Sequence, residues 1–230
     1  MNLTFLGIGQ VGGALADQLV ACGHCVTIAA RDPHSDSVRA AQARTPRLRA
    51  LAPADAVAQA EVVFLATPYA AAEAAVAALA PALAGKTVVD CTNPVGPGLT
   101  HGLGSVRSGT KAVQAAAPGA RVVKAFTIYG FENFLDSAYP GYGDLKPAML
   151  IAGDDPAAKA MVARLCSDLG WEPVDTGPLS SSLHLEHLTL LWIKMARAQG
   201  QGAGFVWARL RRCPPPPAPS APSRTRKSVT

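Results

Sequence analysis

The chain opens with Asn2-Leu3-Thr4-Phe5-Leu6-Gly7-Ile8-Gly9-Gln10-Val11-Gly12-Gly13, an apolar run of strand length followed at once by a glycine-rich turn. The six residues from Gly7 have the spacing GxGxxG. That pattern alone is weak. Here it follows a strand and opens a helix, which is the setting its chemistry needs. Val11, Leu15 and Leu19 recur every four residues on one helical face, and Gly23 stops the helix. Gly7 permits the tight turn, Gly9 lets the backbone approach a pyrophosphate, and Gly12, with Gly13 behind it, lets helix and strand pack closely. The first helical turn then offers free N–H groups and a positive dipole end to phosphates. The stretch therefore predicts a dinucleotide site on the first βα turn.

Working outward, short apolar runs alternate with helical patterns. Strands are expected at Leu3–Leu6, Val26–Ala30, Glu61–Ala66, Thr87–Cys91, Arg121–Phe126, Ala148–Ala152 and Trp171–Val174. An alanine-rich helix is expected over Tyr69–Leu83, and Asp155-Pro156 opens another with an N-cap and a first-turn proline. The runs are continuous rather than alternating, as in strands buried on both faces of a parallel sheet. The order predicts a doubly wound α/β domain over 1–180. Residues 181–212 form a helical extension whose helix at 181–199 either covers the sheet or makes a homodimer seam.

Residues 213–230 contain Pro214 to Pro217, Pro219 and Pro222 and read as a disordered Pro/Arg-rich tail. An untethered terminus is favoured over a docking motif there. The net charge of the 230 residues is +5. Six of the 21 basic residues lie at 209–230 with no acidic one, so residues 1–208 carry 15 basic and 16 acidic side chains, a net −1. A near-neutral body excludes the basic footprint of a nucleic-acid-binding domain. No apolar run is long enough to span a membrane, no signal peptide is read, and five scattered cysteines fit a reducing cytoplasm.

The second strand specifies the dinucleotide. It ends Ile28-Ala29-Ala30 and is followed by Arg31, with no carboxylate where one would accept from a ribose 2′-OH. A guanidinium there suits a 2′-phosphate, so NADP is expected rather than NAD, with Ser35, Ser37 and Arg39 assisting. Asp32 instead pairs with Arg39 or caps a turn with Pro33. Ala66-Thr67-Pro68-Tyr69 ends another strand at the same sheet edge, where Thr67 and Pro68 touch the cofactor, start the next helix as cap and first residue, or do both.

Several short motifs in order carry a family resemblance. They are Gly7–Gly13, Ala29-Ala30-Arg31-Asp32-Pro33, Asp90-Cys91-Thr92-Asn93-Pro94, Val123-Lys124-Ala125-Phe126-Thr127, Ile151-Ala152-Gly153-Asp154-Asp155, Val174-Asp175-Thr176-Gly177-Pro178-Leu179, Leu185-Glu186-His187-Leu188 and Leu191-Trp192-Ile193. Over about residues 1–212 the chain resembles the coenzyme F420-dependent NADP oxidoreductases. The resemblance implies a Rossmann domain with a small C-terminal helical extension and hydride transfer between NADPH and the deazaflavin. It implies that Gly7, Gly9, Gln10, Val11 and Gly12 hold the pyrophosphate and Arg31 the 2′-phosphate. Thr67 and Pro68 would lie along the nicotinamide half, and Asn93 and Pro94 at the second ring. The chain departs from the family's usual residues at Ala30, at Thr127 in place of Asn, and at Ser182-Leu183-His184. Thr127 and His184 fall near the second substrate.

Ring-to-ring hydride transfer needs positioning more than acid–base chemistry. That agrees with the absence of a nucleophile triad, paired carboxylates or a metal cluster. An imine or carbonyl substrate would need a proton donor, for which Lys124, Tyr129 and His187 are the candidates. A non-catalytic NADP-binding redox sensor is the third reading. His184 and His187 read as hydrogen-bonded or solvated rather than metal-binding, and Cys22 and Cys25 as structural. The loop Val95–Thr110 is either a flap over the site or a surface excursion, and 200–204 is a flexible turn.

Overall fold

The computed structural model describes residues 1–212; the expected tail at 213–230 lies outside the described residues. In chain order its elements are β1 (Asn2–Leu6), α1 (Gln10–Ala21), β2 (Cys25–Ala29), α2 (Asp36–Arg44), β3 (Arg49–Leu51), α3 (Pro53–Gln59) and β4 (Val62–Leu65). Then come α4 (Tyr69–Ala77), α5 (Ala80–Leu83), β5 (Thr87–Asp90), β6 (Val95–Gly96), β7 (Thr100–His101), α6 (Gly109–Ala116) and β8 (Arg121–Lys124). The last are α7 (Glu132–Leu135), β9 (Ala148–Gly153), α8 (Pro156–Asp168), β10 (Glu172–Asp175) and α9 (Ser182–Ile193).

Eight strands form one sheet in the order β10-β9-β8-β5-β4-β1-β2-β3. All neighbours are parallel except β8 and β9. The expected doubly wound, mostly parallel sheet is what the chain forms. β1 pairs with β2 on one side and β4 on the other, Leu6 standing opposite Ala29 and Leu65. This reversal of winding opens a crevice at the carboxyl ends of the strands, where ligands of such sheets bind.

The sheet is buried on both faces, which is why its strands are apolar throughout. Phe5 and Phe64 stack across β1 and β4 with ring centroids 4.5 Å apart. Leu15 and Leu19 of α1 close one face, and Val76 and Val113 of α4 and α6 close the other. Each such side chain contributes ~1.5–3 kcal/mol by leaving water. Leu185 and Trp192 of α9 join the same cluster as Met149 and Ile151 of β9. Beyond α9, the chain continues as a single π-helical turn at Lys194–Ala198, then crosses back so that the Trp207 carbonyl accepts from Ala148 N at 2.8 Å.

The local signals account for most boundaries. Asp155 Oδ1 accepts from Ala158 N at 2.7 Å, so the expected cap opens α8. The single helix expected over Tyr69–Leu83 is two, because Pro81 sits in the first turn of α5 and cannot continue the ladder of α4. The loop Val95–Thr110 contains the small hairpin β6–β7 and the start of α6. Among the described residues no helix is long and apolar enough to cross a membrane.

Candidate active site

The first βα turn is built as a cradle. Gly7 has φ +100°, and a Cβ there would fall 2.6 Å from the Ala66 carbonyl oxygen, so the turn accepts only glycine. A Cβ on Gly12 would collide with the Gly7 carbonyl oxygen, which lets α1 lie close on β1. A Cβ on Gly9 would meet nothing within 4 Å. Gly9 is thus not needed for packing and faces open space. Gly9 caps α1 without a side-chain hydrogen bond, and no acidic residue lies in its first turn. The N–H groups of Gln10, Val11 and Gly12 therefore have no helical acceptor of their own.

A cavity of about 550 Å³ lies between this turn and the end of β2, lined by Gly7, Ala30, Arg31, Asp32, Ser35 and Ser37. Arg31 is exposed and makes no ion pair among the described residues. Asp32 makes no ion pair with it; its Oδ1 accepts from His34 N at 2.9 Å, so it caps the turn at Pro33. Arg39, expected to assist at the phosphate, instead donates to Asp36 and to the His34 carbonyl.

A second cavity of about 500 Å³ adjoins on the other side of Arg31. Its floor is the alanine face of α4, Ala71, Ala74 and Ala75, continued by Ala78 just past the helix, with Thr67 and Pro53 at the sides. These alanines follow helical spacing, a legible stripe of small residues whose effect is to leave room. Thr67 does not cap α4: Pro68 holds the cap position, and Thr67 Oγ1 is buried without a hydrogen-bond partner among the described residues. A buried hydroxyl left unpaired costs ~1–3 kcal/mol. An open Gly9, unmet first-turn N–H groups and an orphaned Thr67 hydroxyl suit a bound dinucleotide, and Arg31 between two cavities suits a phosphate beside a flat base.

The expected second-substrate residues meet at the ends of β5 and β8. Thr127 Oγ1 donates to Asn93 Oδ1 at 2.8 Å. Phe126 and Ile128 flank Thr127 with φ +49° and +66°, and Ile128 N donates to Thr189 Oγ1 of α9 at 3.0 Å. Two bulky residues in the left-handed region form a strained turn held from α9. Thr189 was not legible as a site residue, because its partner lies 62 positions away. Pro94 is buried beside Asn93, against Gly109, which leaves room for the Tyr69 ring. Burial and neighbouring Glu73 push the Tyr69 hydroxyl up to about 12.

Below this turn lies a closed polar network. Glu186 receives His101 Nε2 at 2.8 Å, Ser108 Oγ at 2.7 Å and the Gly109 and Thr110 N–H groups at 3.2 Å. It ties α9 to the loop Val95–Thr110, which is anchored rather than free at His101. His187 is half-buried and stacks on His101 with ring centroids 5.1 Å apart.

Two candidate proton donors are corrected. Lys124 is fully buried, donating to Asp90 and to the Thr92 carbonyl. Tyr129 is buried on Trp171 and donates to the Ala148 carbonyl at 2.8 Å, and burial raises its pKa. Neither reaches the crevice, because interior acceptors on β5 and β9 hold them. Among the described residues no group of three or more His, Cys, Asp and Glu could hold a metal ion. Cys22 follows α1 and donates to the Asp168 carbonyl, and burial and Asp168 raise its thiol, the reverse of a reactive thiolate.

Residues 2–94 match the model of the family described as NADP oxidoreductase, coenzyme F420-dependent. A candidate F420-dependent NADP reductase from Arthrobacter sp. FB24 is 32% identical, with a TM-score of 0.82 over 92% of this chain and 100% of that one. The chain belongs to this family. A hypothetical protein of Sinorhizobium meliloti is 30% identical, with a TM-score of 0.69 over 79% of this chain and 88% of its own. The metalloreductase STEAP3 of Rattus norvegicus is 30% identical over 185 residues, 80% of this family member but only 36% of the rat protein's length. A Streptomyces aurantiacus imine reductase, 16% identical with a TM-score of 0.62, shares the fold. The family match and the Arthrobacter structure place the chain among the NADP-dependent oxidoreductases.

Proposed function

We propose that this protein binds NADPH and exchanges a hydride with a second ring cofactor, coenzyme F420. The observation that carries the reading is the open cavity at the carboxyl ends of β1 and β2, with unpaired Arg31 at its wall and the glycine turn at its base. When bound, the dinucleotide supplies the hydride. The chain's residues do the rest by position. The N–H groups of Gln10, Val11 and Gly12 would neutralise the pyrophosphate, and Arg31, with Ser35 and Ser37, the 2′-phosphate. Thr67 Oγ1 would gain a partner on the nicotinamide side. Asn93, Pro94 and Thr127 would border the second ring.

The burial of Lys124 and Tyr129 leaves half-buried His187 as the one remaining candidate proton donor for an imine or carbonyl, which weighs toward ring-to-ring transfer. We read the protein as acting on small molecules, without a nucleic-acid partner. The test is to mix the protein with NADPH and oxidised F420 and to follow loss of the deazaflavin's visible absorbance. Bleaching supports the reading; a folded, NADPH-bound protein that leaves the absorbance unchanged removes F420 as the substrate.

A further inference from the structure

Asn93 is half-buried at the end of β5, and its amide sits between two kinds of neighbour. On one side Thr127 Oγ1 donates to Oδ1 at 2.8 Å, and Thr189 Oγ1 lies 3.1 Å from the same atom. On the other, Nδ2 faces the Cys91 carbonyl at 3.5 Å. These neighbours determine which way the amide faces. Flipped, it would set Oδ1 against the Cys91 oxygen, two acceptors with no proton between them. As placed, the protons balance. Thr127 gives its one proton to Oδ1. Thr189 accepts from Ile128 N and has three acceptors for its one proton: Thr127 Oγ1 at 2.8 Å, the Leu185 carbonyl at 2.9 Å and Oδ1 itself.

An amide nitrogen carries two N–H bonds. One is spent, at the long limit of a hydrogen bond, on Cys91. The other has no acceptor among the described residues. The loops after β1, β2 and β4 surround the proposed dinucleotide site, whereas Asn93 and Thr127 lie in the loops after β5 and β8, and Thr189 in α9. The second N–H is thus a donor left over on the β5 and β8 side of the crevice, away from the loops of the dinucleotide.

We infer that Thr127 and Thr189 are positioning residues that lock Asn93 with an N–H turned into the crevice, to donate to the conjugated ring oxygen of the hydride acceptor. The inference rests on the NADPH reading above and names the chemistry of the second ligand: a planar ring whose carbonyl is conjugated with the ring atom that receives hydride. In the overall exchange NADPH loses and the ring gains one hydride. The displaced π electrons come to rest on the conjugated oxygen, which then takes a proton from water. A fixed N–H aimed at that oxygen binds it most strongly when the charge is on it.

The experiment uses the full chain with Thr189→Val, Thr189→Ser and Asn93→Asp, each checked for folding by thermal melting. NADPH affinity is read by fluorescence titration, acceptor KM with oxidised F420 and with FMN, and the Asn93 side-chain N–H signals by NMR. Thr189→Val is expected to broaden the Asn93 signals and raise acceptor KM by about five- to tenfold, the size of one hydrogen bond, with NADPH affinity unchanged. Thr189→Ser keeps the wild-type KM and sharp signals. Asn93→Asp, which sets a charge against the oxygen, loses more than Thr189→Val.

A wild-type KM and sharp Asn93 signals in Thr189→Val overturn the inference. So does an equal loss in Thr189→Ser, or NADPH affinity that falls in step with acceptor KM. If Thr189→Val does not fold, Asn93→Asp decides alone: an unchanged acceptor KM overturns the inference. A wild-type protein that binds NADPH yet reduces neither acceptor overturns it too. One that does not bind NADPH overturns the underlying reading instead.

Discussion

Asp90 on β5 and Lys124 on β8 are register partners, and Lys124 Nζ donates to Asp90 Oδ2 at 3.4 Å with both side chains closed to solvent. The pair sits directly beneath the turn that carries Asn93. Asp90 Oδ1 accepts from Thr92 N at 2.9 Å and from Thr92 Oγ1 at 2.7 Å, while Lys124 also donates to the Thr92 carbonyl. Oδ2 takes a further bond from Thr110 Oγ1 at 2.7 Å, so β5, β8 and α6 are joined at one point.

Lys124 is therefore expected to be structural. Removing one partner of a buried pair leaves an uncompensated charge and costs about 3–5 kcal/mol. Lys124→Met should lower stability by that order in denaturant unfolding. Adding Asp90→Asn should recover part of the loss, since the charge left behind is then gone. A Lys124→Met protein of wild-type stability that has lost turnover would make Lys124 a chemical group and sink this view.

Glu186 links folding to pH. Burial opposes its ionisation, but Lys124, His101, Ser108 and the Thr110 N–H together outweigh it and hold the carboxyl below its ordinary value of 4.5. A group whose folded pKa is depressed stabilises the fold above its unfolded pKa, and that stability is lost as pH falls through the folded one. Unfolding free energy should thus decline with acidification below about pH 4.5, and in Glu186→Gln this part of the slope should vanish. Urea titrations of both proteins between pH 3 and pH 6 would read this out, and parallel curves would count against it.

Arg31 should set cofactor choice. Losing a charge-assisted bond to a 2′-phosphate costs ~1.5–3 kcal/mol, or about 10- to 100-fold in affinity. Arg31→Ala should weaken NADPH binding by that factor and leave NADH nearly unchanged. Raised salt should narrow the wild-type preference, because Arg31 is exposed. Equal losses for both dinucleotides in paired titrations would mean that Arg31 does not read the phosphate.

What the sequence made legible follows from the range of each signal. Apolar runs and the Gly7–Gly12 spacing are local, and they located the sheet, the crevice and the first turn. Arg49–Leu51 is too short a run to announce β3 at the sheet edge. α6 had a readable cap, since Ser108 Oγ accepts from Thr110 N and Lys111 N, but the loop's glycines obscured it. Lys124 and Tyr129 looked like proton donors by residue type alone; burial, a property of the whole fold, made them interior struts. His101 and Glu186 stand 85 positions apart, and nothing in either's neighbourhood points to the other.

Gly9 and Gly12 separate binding from folding within one turn. Alanine at Gly12 drives a methyl group into the Gly7 carbonyl, which is backbone and cannot swing aside. Gly12→Ala should therefore lose both thermal stability and NADPH binding. Alanine at Gly9 meets no atom within 4 Å, and its backbone is extended at φ −68°, so the fold tolerates it. Its methyl group instead enters the space in which a pyrophosphate would approach the backbone. Gly9→Ala should melt at the wild-type temperature, within a degree or two, yet bind NADPH at least ~10-fold more weakly. The two melting curves and two titrations check this together. A Gly9→Ala protein that keeps wild-type NADPH affinity would remove the pyrophosphate from this turn, and with it the geometry on which the NADPH assignment stands.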